Sequence, residues 1–189
     1  MQRRHALSLL VLPLLALPLL AACAGGEDAD RRIGGYAVGF GDRIHAAALR
    51  APWEFGDLSR WRGQPGRAAP AVADLEILTD GLARDPYWSP ETPPDVVVLL
   101  GQARAAVRAR LGISGGASPA VVVAALTQAA EMLESGRALL AAPALERPGF
   151  GLPGLGTLER LSTLPALRET EAAANAAAAE IGRRAGGDG

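Results

Sequence analysis

Lysine is absent from this 189-residue chain, cysteine occurs once and histidine twice. Each shortage closes a class of function. The lone cysteine, Cys23, leaves no partner for an intrachain disulfide, and His45 is the only histidine beyond the first few residues, too small a supply for a cysteine and histidine zinc site. All 19 basic residues are arginines and face 20 carboxylates, so the chain as a whole has no basic excess for nucleic acid to grip. No metal, no cofactor and no nucleic-acid partner is therefore expected. Internal repeats and sustained strand-like alternation are missing as well, and only one long apolar run occurs.

That run covers residues 6–22, broken by Ser8, Pro13 and Pro18, and follows the basic opening Met1-Gln2-Arg3-Arg4-His5. A stable membrane span needs about 20 apolar residues in a helix; this stretch is shorter and holds two prolines that each remove a helical hydrogen bond. Basic residues, then a short apolar stretch, predict an export signal over 1–22. The run closes on Leu20-Ala21-Ala22-Cys23, which resembles the bacterial lipobox. The resemblance implies recognition of Leu20, Ala21 and Ala22 by a signal peptidase, a diacylglycerol thioether on Cys23, cleavage before it and acylation of the new amino group. Several acyl chains hold a protein on a bilayer where one is marginal. Ala24 follows where aspartate would retain the protein at the inner membrane, so the resemblance favours the periplasmic side of the outer membrane. Abundant alanine and arginine also make the chain similar to alanine- and arginine-rich proteobacterial lipoproteins, a likeness that carries no residue role.

Removing residues 1–22 leaves 167, enough for one domain with a real core, with 17 arginines against 20 carboxylates. Residues 23–35 are small and charged and predict a flexible tether. Residues 36–184 form the expected helical domain, and 185–189 a disordered tail. Within the domain, residues 36–64 are the least regular. Short helices are expected at about 42–50 and 57–62, the second capped by Asp57. Val72, Leu75, Leu78 and Leu82 predict a helix after Pro70 that stops near Arg84. Val96, Leu99, Leu100, Ala103, Val107 and Leu111 make a stripe at helical spacing that ends at Gly112, leaving Arg104, Arg108 and Arg110 on a solvated face. Ser118-Pro119 opens a helix through Val122, Leu126, Ala129, Met132 and Leu133 to Gly136. An antiparallel hairpin over about 95–136 is thus the centre of an all-α bundle. Residues 143–156 are expected as loop, followed by a short helix from Thr157 to Thr163. An alanine-rich helix over 166–184 either packs through its small face or projects.

Two glycine motifs fail on context. Gly112-Ile113-Ser114-Gly115-Gly116 spells a nucleophile elbow, but a helix precedes it and no histidine follows. Gly149-Phe150-Gly151-Leu152-Pro153-Gly154 spells a dinucleotide fingerprint without the strand that gives it meaning. Asp42 and His45 would share a helix face as a surface pair. Glu54, Asp57, Glu76 and Glu91 show no spacing typical of a glycosidase pair. No catalytic residues are assigned, and no enzyme is expected.

Seven of the eight aromatics, Tyr36, Phe40, Trp53, Phe55, Trp61, Tyr87 and Trp88, lie between residues 36 and 88. Rigid amphipathic rings recur at binding surfaces, which marks Trp53, Trp61, Tyr87 and Trp88 as candidate contacts. The expected protein is a membrane-anchored, periplasmic structural or interaction protein. It is held by lipid on Cys23 and meets an envelope protein or glycan; the alternative is a ligand-binding module built on 36–88.

Overall fold

Proline and glycine punctuate the chain into helices. Pro65, Pro94 and Pro119 each stand at the start of a helix, where a missing N–H forfeits no bond. Gly112 and Gly136 follow helix ends with φ of 69° and 73°, in the left-handed region open to glycine. The computed structural model describes residues 40–187, with side chains over 43–185. The expected signal, Leu20, Ala21, Ala22, Cys23, the tether and Tyr36 lie outside the described residues, as do the side chains of Phe40 and Asp42. The described helices are α1 (Phe40–Glu54), α2 (Pro65–Arg84), α3 (Pro94–Leu111), α4 (Pro119–Glu134), α5 (Ala141–Ala144), α6 (Gly154–Ser162) and α7 (Arg168–Gly187). Short 3-10 turns at Leu58–Trp61, Ser89–Glu91 and Ala138–Leu140 lie between them. The described part is an all-α bundle.

α2 buries side chains nearly all round: Ala68, Ala69, Val72, Leu75, Leu78 and Leu82 are inaccessible or almost so. A helix buried over most of its circumference belongs in the middle. α1 and α3 pack on it, and α7 packs on both α1 and α3, so α1, α2, α3 and α7 form a ring in which each helix touches two neighbours. Ala173, Ala174, Ala177 and Ile181 of α7 are buried, which decides that the alanine-rich helix packs through its small face. α4 lies on α2 as well, carrying α5 and then α6 with it.

Several expectations need correction. α1 runs through Pro52 to Glu54 and α2 begins at Pro65, with Pro70 inside it. Each internal proline forfeits one backbone bond, and burial of Ala51 and Phe55, or of Ala68 and Ala69, carries the helix across it. The hairpin helices are present and joined by the loop at 112–118, but α4 packs chiefly on α2 and α3 on α7 and α2, and the two pack little on each other. The end of α5 and the start of α6 fall inside the expected loop, and α7 continues to Gly187, into the expected tail.

Arg108 is the largest correction, for it is 3% exposed, not solvated. Its Nε and Nη2 donate to the two carboxylate oxygens of Glu76 in α2, both at 2.6 Å. Its Nη1 donates to the carbonyls of Ser114, Gly115 and Ala117 at 3.2, 3.0 and 2.9 Å. Each guanidinium nitrogen is thus partnered, which is what permits a charge to stay buried. The arginine ties three segments together: α3, α2 and the loop into α4.

The two glycine motifs meet in space. Ser114 donates its N–H to the Gly149 carbonyl and Gly151 donates to the Gly112 carbonyl, both at 2.8 Å, and Ile113 bridges Phe150. The loops clasp each other and so hold α6 against the rest. Gly149, at φ 97°, has no room for a methyl group beside Ala117. Gly112, Gly149, Gly151 and Gly154 each meet a close neighbour that crowds out a side chain, which gives those four glycines a structural role.

Candidate functional site

Trp53, Trp61, Tyr87 and Trp88 fall into two clusters, one toward each end of α1. The first is built where α1 hands over to its 3-10 turn. Phe55 and Leu58 are buried and pin the chain on either side of the bend. Asp57 then caps the turn, accepting from the Ser59 N–H at 3.0 Å and its hydroxyl at 2.6 Å. Those hydrogen bonds, that of the hydroxyl foremost, hold the Asp57 carboxyl below its ordinary range. The turn brings the Arg60 guanidinium 3.9 Å over the Trp53 ring, with Nη1 donating to the Trp53 carbonyl at 2.9 Å. Trp61 meets Trp53 edge-on at 6.4 Å and donates its indole N–H to the Glu54 carbonyl at 2.7 Å. Burial, and then the nearby Asp74, push the Glu54 carboxyl up against the pull of Arg50, Arg67 and Arg60. Trp53 nonetheless stays 63% exposed, and Leu49, one turn earlier on α1, 60%.

The second cluster is a latch. Asp85 accepts from the N–H groups of Tyr87 and Trp88 at 2.9 and 3.2 Å, folding the chain after α2 so that Trp88 points inward, 6% exposed, and Tyr87 outward, 71% exposed. The two rings meet edge-on at 5.2 Å, and His45 of α1 lies 6.4 Å from Trp88. Arg184 of α7 sits 4.8 Å from the Trp88 ring and donates to the Trp88 carbonyl and the Thr92 hydroxyl at 2.9 and 3.0 Å. Glu180, almost wholly buried, holds both Arg183 and Arg184 at 2.7 Å. Trp88 is therefore a packing residue, and His45 is engaged with its ring.

Burial works against the charge on Glu180, but the hydrogen bonds and charges of Arg183 and Arg184 outweigh it and hold the carboxyl below its ordinary 4.5. A depressed folded value means that this stabilisation is fully present above pH 4.5 and is lost as pH falls through the folded value. Glu180→Gln is expected to be less stable than the parent at pH 7, with the gap closing below pH 4.5. Denaturant melts of both proteins between pH 7 and pH 3 check this, and a gap independent of pH would refute it.

The carboxylates are not brought together as a pair for chemistry. Glu76 is closed on Arg108, Asp57 caps its turn, Glu54 lies beside the Trp53 cluster and Glu91 is exposed in the turn before α3. A groove of about 440 Å³ lies between α1, α2 and α4, lined among others by Arg43, Arg50, Pro70, Asp74 and Ile77, with none of the four aromatics in its wall. Among the described residues no group of three histidine, cysteine or carboxylate side chains converges as metal ligands would, and no helix is long and apolar enough to cross a membrane.

Leu49 and Arg60 belong with Trp53 and were missed in the sequence. The signal was there. Ending α1 at residue 50 removes Trp53 from the helix; run to Glu54, the helix places Leu49 and Trp53 together, opposite Ile44, Ala48 and Ala51. No known protein family, curated protein or solved structure matches the chain.

Proposed function

We propose that the protein is a lipid-anchored structural or interaction protein of the bacterial envelope, working from the periplasmic side, with the outer membrane favoured, and without catalytic activity. The observation that carries the reading is the ending of the apolar N-terminal run on Leu20-Ala21-Ala22-Cys23, at the chain's only cysteine. A second supports it from the folded part: Leu49 and Trp53, two large apolar side chains, lie on the outer face of α1, the first described helix after the tether. Such neighbouring exposed groups suit docking more than catalysis.

Intact-mass analysis of protein expressed in a bacterial host, with fractionation of its membranes, tests the anchor. The wild type is expected to begin at residue 23, to carry acyl mass and to sediment with membranes. Cys23→Ala is expected to lose the acyl mass and the cleavage before residue 23. A soluble, unacylated wild type would sink the reading.

A further inference from the structure

We propose that the outer face of α1 and the turn after it rest on the bilayer itself, with Leu49 and Trp53 at the level of the headgroups and the surrounding arginines on anionic phosphates. This rests on the lipid anchor proposed above and names the surface that the anchored domain meets. Geometry supplies the first argument. At about 100° per residue, Ile44, Ala47, Ala48 and Ala51 form one buried side of α1, continued by Phe55 just past its end, and Leu49 and Trp53 project from the other. Tryptophan and leucine with arginine beside them is the chemistry of a membrane interface, where an amphipathic ring is wetted on one side only.

Charge is the second argument. Residues 43–67 hold Arg43, Arg50, Arg60, Arg62 and Arg67 against Glu54 and Asp57, whereas residues 68–185 hold 10 arginines against 13 carboxylates. The positive charge of an otherwise acidic domain is thus gathered on the segment that carries the exposed apolar pair. The three arginines that act on the Glu54 carboxyl, Arg50, Arg67 and Arg60, lie around the same end of α1. Arg60 is fixed on the Trp53 ring, and Arg50 is shared with Asp74 at 2.8 Å but half exposed. Arg43, Arg62 and Arg67 are exposed.

Position along the chain is the third. Sixteen residues separate Cys23 from Phe40, a reach of at most about 60 Å. A face that binds lipid weakly as a free protein is held at high effective concentration when the same chain is already anchored.

Quenching of tryptophan emission by brominated acyl chains tests the proposal. The acylated protein is reconstituted into phosphatidylethanolamine vesicles with phosphatidylglycerol, and into phosphatidylcholine vesicles for comparison. Emission is expected to be quenched in the anionic vesicles, less so in phosphatidylcholine or at 1 M salt, where screening is short-ranged. Trp53→Phe is expected to remove most of the quenching, because Trp88 is buried and Trp61 partly so. Arg43→Glu and Arg62→Glu are each expected to lower the docked fraction at least about fivefold, with unchanged circular dichroism. Equal quenching of wild type and Trp53→Phe in vesicles that retain the acylated protein would overturn the docking and leave the anchor intact. Crosslinking of residue 53 to a second copy, without quenching, would assign the face to self-association and overturn it equally. A protein without acyl mass overturns the anchor instead, and quenching of Trp53 on anionic vesicles then still decides the face.

Discussion

Replacing Arg108 by alanine is expected to cost about 3–5 kcal/mol, because it leaves the Glu76 carboxylate buried without its partner. Glu76 is 1% exposed and reaches no water of its own. The carbonyls of Ser114, Gly115 and Ala117 lose their donor at the same time, but they lie in a loop near solvent and water replaces much of what they lose. In a domain of this size the loss corresponds to a fall in melting temperature of roughly 10 °C. Replacing both partners separates desolvation from attraction. The apolar pair Glu76→Leu with Arg108→Met removes both charges, and it is expected to recover most of the stability lost by Arg108→Ala. Thermal and urea melts of the parent and the two variants decide the matter. A cost below about 1 kcal/mol for Arg108→Ala would mean that the pair is not the tie between α2, α3 and the loop.

Gly154→Ala is expected to be nearly as damaging, at about 3 kcal/mol, for a steric reason. A methyl group on residue 154 would run into the backbone carbonyl of Ala142, which no change of rotamer relieves. Either α6 moves away from α5 or the clasp between the loops at 112–116 and 149–151 opens. Gly101 is the matched control: it lies inside α3 with open space around it, so Gly101→Ala is expected to stabilise by roughly 0.5–1 kcal/mol through helix propensity alone. Paired urea melts check the contrast. If both alanines behave alike, the close approach at Gly154 is not what constrains this corner of the fold.

These two sites show where reading the sequence stops. Arg108 follows a helical period that placed it beside, not within, the apolar stripe of Val96, Leu100, Ala103, Val107 and Leu111. Nothing local reveals that α2 will present Glu76, 32 residues earlier, at 2.6 Å. The glycine patterns were readable as non-functional from their context, yet their mutual embrace depends on two loops more than 30 residues apart. Leu49 does not stand out as the neighbour of Trp53 when the helix is ended at about residue 50; tertiary burial of Ala51 and Phe55 carries it across Pro52 to Glu54 and sets the two side by side.

What the sequence determined by itself is what covalent order and short-range physics decide. Prolines at helix starts, left-handed glycines at helix ends and the stripes on α2, α3 and α4 set where most helices lie and which sides face inward. Only the tertiary structure decided that the alanine-rich α7 closes a ring with α1, α2 and α3, that Trp88 is sealed under Arg184 while Trp53 stays in the open, and that Arg108 becomes the buried tie. Each of those outcomes depends on a partner far away in sequence, and burial free energy belongs to the pair of surfaces that meet, not to either one alone.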